Sequence, residues 1–227
     1  MEIEETAVRD AYRLRPHRLD DGRGWFGEVL RTDVLARGTG HAFRAEQVNC
    51  SVSRRGTLRG LHGVTSPPGQ AKVVRCNRGR LFDVVVDVRP GSPTWGRVAG
   101  TVLEAGGDAV FVAEGLAHGF LALDDDTEVM YLCSTTYVPG SQVDIDPFDE
   151  TLAVPWPVLP DGPPVLSAKD AAAPSLAAVH AAGRLVEYAH CRRLYAARAG
   201  LDVTSSRADD GGRDRCGPGT ATERRRP

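Results

Sequence analysis

Lys72-Val-Val-Arg-Cys-Asn-Arg-Gly-Arg-Leu-Phe-Asp-Val-Val-Val-Asp-Val88 is the stretch on which the fold class turns. Two runs rich in valine, Lys72–Cys76 and Leu81–Val88, flank Asn77-Arg-Gly79, whose glycine tolerates the positive φ of a tight turn. The spacing suits a β-hairpin. Outward from it, Arg89-Pro-Gly-Ser-Pro-Thr-Trp-Gly96 forms a second turn cluster. Val110–Val112, Gly119–Leu123 and Glu128–Cys133 read as further strands, separated by Gly115 and Asp124-Asp-Asp126. Helical periodicity is absent from about Val48 to Val138. Many short strands at turn-sized intervals predict a mainly β sandwich or barrel of jelly-roll type.

The chain has 227 residues, enough to bury a substantial core in one main domain, expected over residues 1–200. From Ala171 to Ala199, Leu176, Val179, Leu185, Val186 and Leu194 recur at roughly helical spacing, with Pro174 placed to suit a first helical turn. This segment predicts one or two helices outside the β domain. Residues 201–227 hold little to bury and end in Arg224-Arg-Arg-Pro227, which predicts a disordered, solvated tail.

Lys and Arg number 28 against 30 Asp and Glu, giving a formal charge of −2, so no global field favours nucleic acid or an anionic membrane. The five cysteines, Cys50, Cys76, Cys133, Cys191 and Cys216, form no Cys-x-x-Cys pair and read as free thiols of a reducing cytosol. The acidic start, Met1-Glu-Ile-Glu-Glu-Thr6, lacks the basic and then apolar pattern of a secretory signal, and no apolar run is long enough to span a bilayer. A cytoplasmic protein is expected.

Polar residues among the strands mark the candidate site. In Leu58-Arg-Gly-Leu-His62, an arginine shaped to grip phosphate or carboxylate lies near a histidine able to take and give a proton at neutral pH. Strict alternation sets Arg59 and His62 on opposite faces, so a shared site requires an irregularity at Gly60, such as a bulge. Gln47, Asn49, Ser51 and Ser53 alternate with Val48, Cys50 and Val52, giving one polar strand face that either meets solvent or lines a ligand site. Lys72 stands at the head of an apolar run, as a site cation or as a lysine snorkelling to water. His118 in Ala117-His-Gly-Phe120 has no second histidine two residues on, because Phe120 stands there, so metal chemistry is not expected. Tyr131 and Tyr137 add two phenols.

These blocks resemble the dTDP-4-dehydrorhamnose 3,5-epimerase family of cupin-type jelly-roll enzymes, over roughly residues 15 to 190. The likeness rests on Asp21-Gly-Arg-Gly-Trp-Phe-Gly-Glu28, Gln47–Ser53, Leu58–His62, Pro67-Pro-Gly-Gln-Ala-Lys72, Phe82–Arg89, Gly91-Ser-Pro-Thr-Trp-Gly96, Gly115-Leu-Ala-His-Gly-Phe120, Tyr131-Leu-Cys133 and Leu166-Ser-Ala-Lys-Asp170, in that order. The resemblance implies a nucleotide-linked 4-keto-6-deoxyhexose substrate and no cofactor. It implies His62 as base with Asp170 behind it, Lys72 on the enolate oxygen, Tyr131 as the acid at C5, and His118 lining the pocket. Arg59, Gln47, Asn49 and Ser51 then hold the diphosphate and sugar, Arg23, Phe26 and Glu28 contact the nucleotide, and Tyr137 and Lys169 are further substrate contacts. It also implies a homodimer exchanging N-terminal strands, with each nucleotide site completed by the neighbour. The residue after the base departs from the pattern, Gly63 followed by Val64 standing where an aromatic is common. The competing readings are a relative epimerising C3 alone and a non-catalytic sugar-nucleotide-binding cupin.

Overall fold

The computed structural model describes residues 1–160 and 162–205. In chain order the elements are β1 (Glu2–Glu5), β2 (Ala11–Arg15), β3 (His17–Asp21), β4 (Gly24–Glu28), α1 (Thr32–Thr39), β5 (Gln47–Ser53), β6 (Leu58–Val64), β7 (Lys72–Arg78), β8 (Arg80–Val86), β9 (Val98–Glu104), β10 (Ala109–Val112), β11 (Ala117–Ala122), β12 (Thr127–Cys133), β13 (Gln142–Asp144), α2 (Ala168–Ala171), α3 (Leu176–Ala181) and α4 (Tyr188–Ser205). The strands form two antiparallel sheets and a separate hairpin. One sheet has the order β1-β2-β10-β7-β12-β5 and the other β13-β6-β11-β8-β9. From β5 to β13 the chain changes sheet at every step except β8 to β9, which is how a jelly roll is wound.

That winding corrects the expected hairpin. β7 pairs with β10 and β12 while β8 pairs with β11 and β9, so the two valine-rich runs lie in different sheets. Gly79 alone joins them, at φ +74°, where a Cβ would stand 2.8 Å from the Thr127 hydroxyl. A single-residue corner cannot fold one strand back beside the other, so the chain crosses to the facing sheet.

The main core fills the space between the sheets with residues such as Val74, Phe111, Phe120 and Val129, all at most 2 % exposed. α4 caps it, burying Cys191 and Tyr195. Beneath α4 lies Arg89, fully buried. Its Nε and Nη2 donate to Asp87 at 2.9 and 2.8 Å, and its Nη1 donates to Asp10 at 2.8 Å and to the Tyr195 hydroxyl at 3.2 Å. Burial alone raises an arginine's cost, and these four hydrogen bonds offset it.

The helical expectation holds for the segment, with two adjustments. Ser175 caps α3 by accepting from the Ala178 N–H, so Pro174 lies outside the helix, where its carbonyl accepts from Asp146. α4 continues through Ser205, so the expected tail does not begin at 201; the remainder of that expectation lies outside the described residues. The four described cysteines, Cys50, Cys76, Cys133 and Cys191, are free thiols. No helix among the described residues is long and apolar enough to cross a membrane.

Candidate active site

A cleft of about 260 Å³ opens between the sheets, and strands from both line it. From one sheet come Arg59 and His62 on β6 and His118 on β11. From the facing sheet come Gln47, Asn49 and Ser51 on β5, Lys72 on β7 and Tyr131 on β12, with Tyr137 following β12.

β6 is irregular where a shared site requires it. His118 on β11 faces His62 and Phe120 faces Arg59, so two steps on β11 match three on β6. Gly60 absorbs the extra residue at φ +136°, and a Cβ there would lie 2.6 Å from the Gly119 Cα. The bulge turns Arg59 and His62 into one cleft. On β5, Gln47, Asn49 and Ser51 face the cleft, and Val48 and Val52 are 60 % and 50 % exposed outside. Ser53 is buried and accepts from the Arg59 Nε at 3.1 Å.

His62 is tied to the short helix α2. Ser167 caps that helix by accepting from the Asp170 N–H, and the Asp170 carboxylate lies 2.8 Å from the His62 Nε2. Burial pushes the His62 imidazole below its ordinary range, Asp170 pulls the other way, and burial prevails. The ring is therefore neutral at neutral pH and able to accept a proton. Burial likewise drives the Lys72 ammonium down and the Tyr131 phenol up, the latter despite a 3.3 Å contact with the Ser51 hydroxyl. The Lys72 side chain makes no hydrogen bond or ion pair among the described residues, so its amine is open to a ligand.

Two carboxylates in this region escape a sequence reading. Asp83, in the apolar run of β8, bonds the His118 Nε2 at 2.6 Å while fully buried. A lone acid in a buried strand was the available signal. Asp144 on β13 comes within 3.6 Å of the His62 Nε2 through cross-strand register, which no local pattern announces. Lys169 reaches the same place rather than the cleft lining, with its ammonium 2.7 Å from Asp144, 3.4 Å from the His62 Nε2 and 3.6 Å from Asp170. The convergence of His62, Asp144 and Asp170 within 4.8 Å has the spacing of a cation site, and the chain's own ammonium sits beside it.

Arg23, Phe26 and Glu28 lie away from this cleft, on the β3–β4 hairpin. Arg23 is 91 % exposed in its side chain and bonds only its neighbour Asp21, at 2.7 Å, among the described residues. Phe26 is 68 % exposed.

Comparison with known proteins places this jelly roll in a described family. The family model for dTDP-4-dehydrorhamnose 3,5-epimerase matches residues 5–178. The chain belongs to that family. The dTDP-4-dehydrorhamnose 3,5-epimerase of Mycobacterium tuberculosis is 46 % identical over 195 residues, 86 % of this chain and 96 % of that protein. The structure of the Mycobacterium tuberculosis rmlC epimerase superposes with a TM-score of 0.85 at 45 % identity, covering 87 % of this chain and all of that one. ChmJ, a 3'-monoepimerase from Streptomyces bikiniensis solved with dTDP-quinovose, gives a TM-score of 0.78 at 40 % identity over 84 % of this chain and 96 % of that one.

Proposed function

We propose that this chain is an isomerase that inverts C3 and C5 of dTDP-4-keto-6-deoxy-D-glucose, giving dTDP-4-keto-L-rhamnose, in deoxysugar biosynthesis in the cytoplasm. The observation that carries the reading is the pair His62–Asp170, 2.8 Å apart on one sheet's side of the cleft, with Lys72 and Tyr131 on the other.

The C4 carbonyl acidifies the hydrogens at C3 and C5. His62 takes a proton through Nδ1, the nitrogen not engaged by Asp170, and the C–H electron pair moves into the ring as an enolate whose negative charge lies on the C4 oxygen. Lys72, desolvated and unpaired, stabilises that oxygen. Tyr131 gives its proton to C5 from the opposite sheet, so that centre inverts; at C3 the proton returned to the opposite face comes from solvent water. Its raised pKa keeps the phenol protonated until the enolate forms. His62 and Tyr131 regain their starting protonation by exchange with solvent. These side chains suffice for the proton chemistry without a cofactor. Arg59, Gln47, Asn49 and Ser51 hold the sugar and diphosphate, and His118, braced by Asp83, walls the pocket.

The cleft is at the small end of ligand pockets, so a nucleotide attached to the sugar extends past its mouth. We assign its recognition to Arg23, Phe26 and Glu28 of a second copy in a homodimer. Two features support this assignment: a two-stranded hairpin outside both sheets with Leu19, Trp25 and Phe26 at 57 %, 42 % and 68 % exposure, and Val48 and Val52 exposed on the edge strand β5.

The test is turnover of dTDP-4-keto-6-deoxyglucose in D₂O, with deuterium and configuration followed at each carbon. Deuterium and inversion at both C3 and C5 are expected. Inversion at C3 alone makes the chain a monoepimerase, and tight binding with no exchange makes it a binding cupin.

A further inference from the structure

We infer that Lys169 and Asp144 form a positioning pair that sets which nitrogen of His62 is the base and the pH range over which it works. The two residues arrive from different elements. β13 sets Asp144 directly opposite His62 in register, and α2 carries Lys169 beside Asp170. One oxygen of the Asp144 carboxylate accepts from both the Lys169 ammonium at 2.7 Å and the Gln142 side-chain amide at 2.6 Å.

All of these groups crowd Nε2. Asp170 lies 2.8 Å from it, Lys169 3.4 Å and Asp144 3.6 Å, so Nδ1 is the nitrogen left for a ligand. Two carboxylates and one ammonium sum to −1 beside a neutral imidazole and to 0 beside an imidazolium. The cluster is thus neutral once His62 has taken a proton. Without Lys169, two carboxylates would hold the ring protonated up to higher pH and spoil it as a base. Without Asp144, the cluster would carry +1 once His62 is protonated, opposing the imidazolium that abstraction creates. Other titratable groups near His62 are His118 on β11, opposite it in register with its Nε2 engaged by Asp83, and Lys72 and Tyr131 on the far wall of the cleft. Lys169 therefore acts through His62 rather than on the substrate.

The pH consequence belongs to the free protein, and the catalytic one rests on the epimerase reading. The test is an NMR titration of the His62 ring in the substrate-free protein, paired with the pH profile of kcat/KM. Lys169→Met should raise the His62 pKa by about 1 unit, Asp144→Asn should lower it by a similar amount, and Lys169→Arg should restore it. The acid limb of kcat/KM should move the same way. A His62 titration unmoved in both Lys169→Met and Asp144→Asn, with circular dichroism unchanged, overturns the inference; if KM alone then rises, Lys169 is a substrate contact. Shifted titrations in a protein without epimerase activity uphold the pair and sink the epimerase reading instead.

Discussion

Among the described residues around His62, the other imidazole, His118, is engaged by Asp83, and the carboxylates Asp170 and Asp144 lie on the Nε2 side of the ring, Asp144 engaged by Lys169. His62→Ala should abolish deuterium exchange at C3 and C5 with the melting temperature near wild type; exchange persisting at either carbon would reveal a second base. Asp170→Asn keeps the ring and loses its carboxylate, so a large but incomplete loss of kcat is expected. Tyr131→Phe should retain exchange at C3 while inversion at C5 falls by ~10²- to 10⁴-fold, the usual loss on deleting one positioned acid. An unchanged C5 rate would pass the role to Tyr137 or water. Residue type alone made His62, Lys72 and Tyr131 visible as candidates, because few side chains move protons or stabilise anions. Asp83 and Asp144 were hidden, because a carboxylate's partner across a sheet is set by register.

At the scale of the element, the bulge in β6 is the feature on which the site depends. Gly60→Ala would drive a methyl into the Gly119 backbone at a φ that side chains rarely adopt. A cost of roughly 2–3 kcal/mol is expected, with kcat falling as His62 is displaced, read by urea unfolding and steady-state kinetics. A variant with full stability and activity would show that the strand tolerates a regular register. The need for this irregularity was legible in Leu58-Arg-Gly-Leu-His62, since period-two alternation cannot aim positions 59 and 62 the same way. The partner of β7 was not legible. Valine-rich runs state that a segment is extended and leave open which strand it joins.

Across the whole molecule, α4 and the first strands meet through Arg89. Arg89→Met leaves Asp10 and Asp87 buried without their cation, which should cost about 3–5 kcal/mol in urea unfolding; a loss below 1 kcal/mol would mean that the carboxylates find other partners. The same network predicts acid sensitivity. Burial pushes both carboxyls up, but hydrogen bonds from Arg89 and its neighbours outweigh it, and both are held below the ordinary carboxylate range. A depressed folded pKa gives stability that is present above the unfolded value and lost as pH falls through the folded one. The midpoint of urea unfolding should therefore drop below about pH 4, and Arg89→Met should flatten that drop.

The sequence by itself determined that the chain is mainly β and that a helical segment follows, because periodicity is a local property, and it named the candidate side chains by residue type and family resemblance. Tertiary structure decided the rest. It sent β7 and β8 to opposite sheets, brought Asp144 and Lys169 to His62, and set His62 and Tyr131 on facing walls of one cleft. Those outcomes depend on strand order and register, which arise only when separate segments bury their apolar faces together.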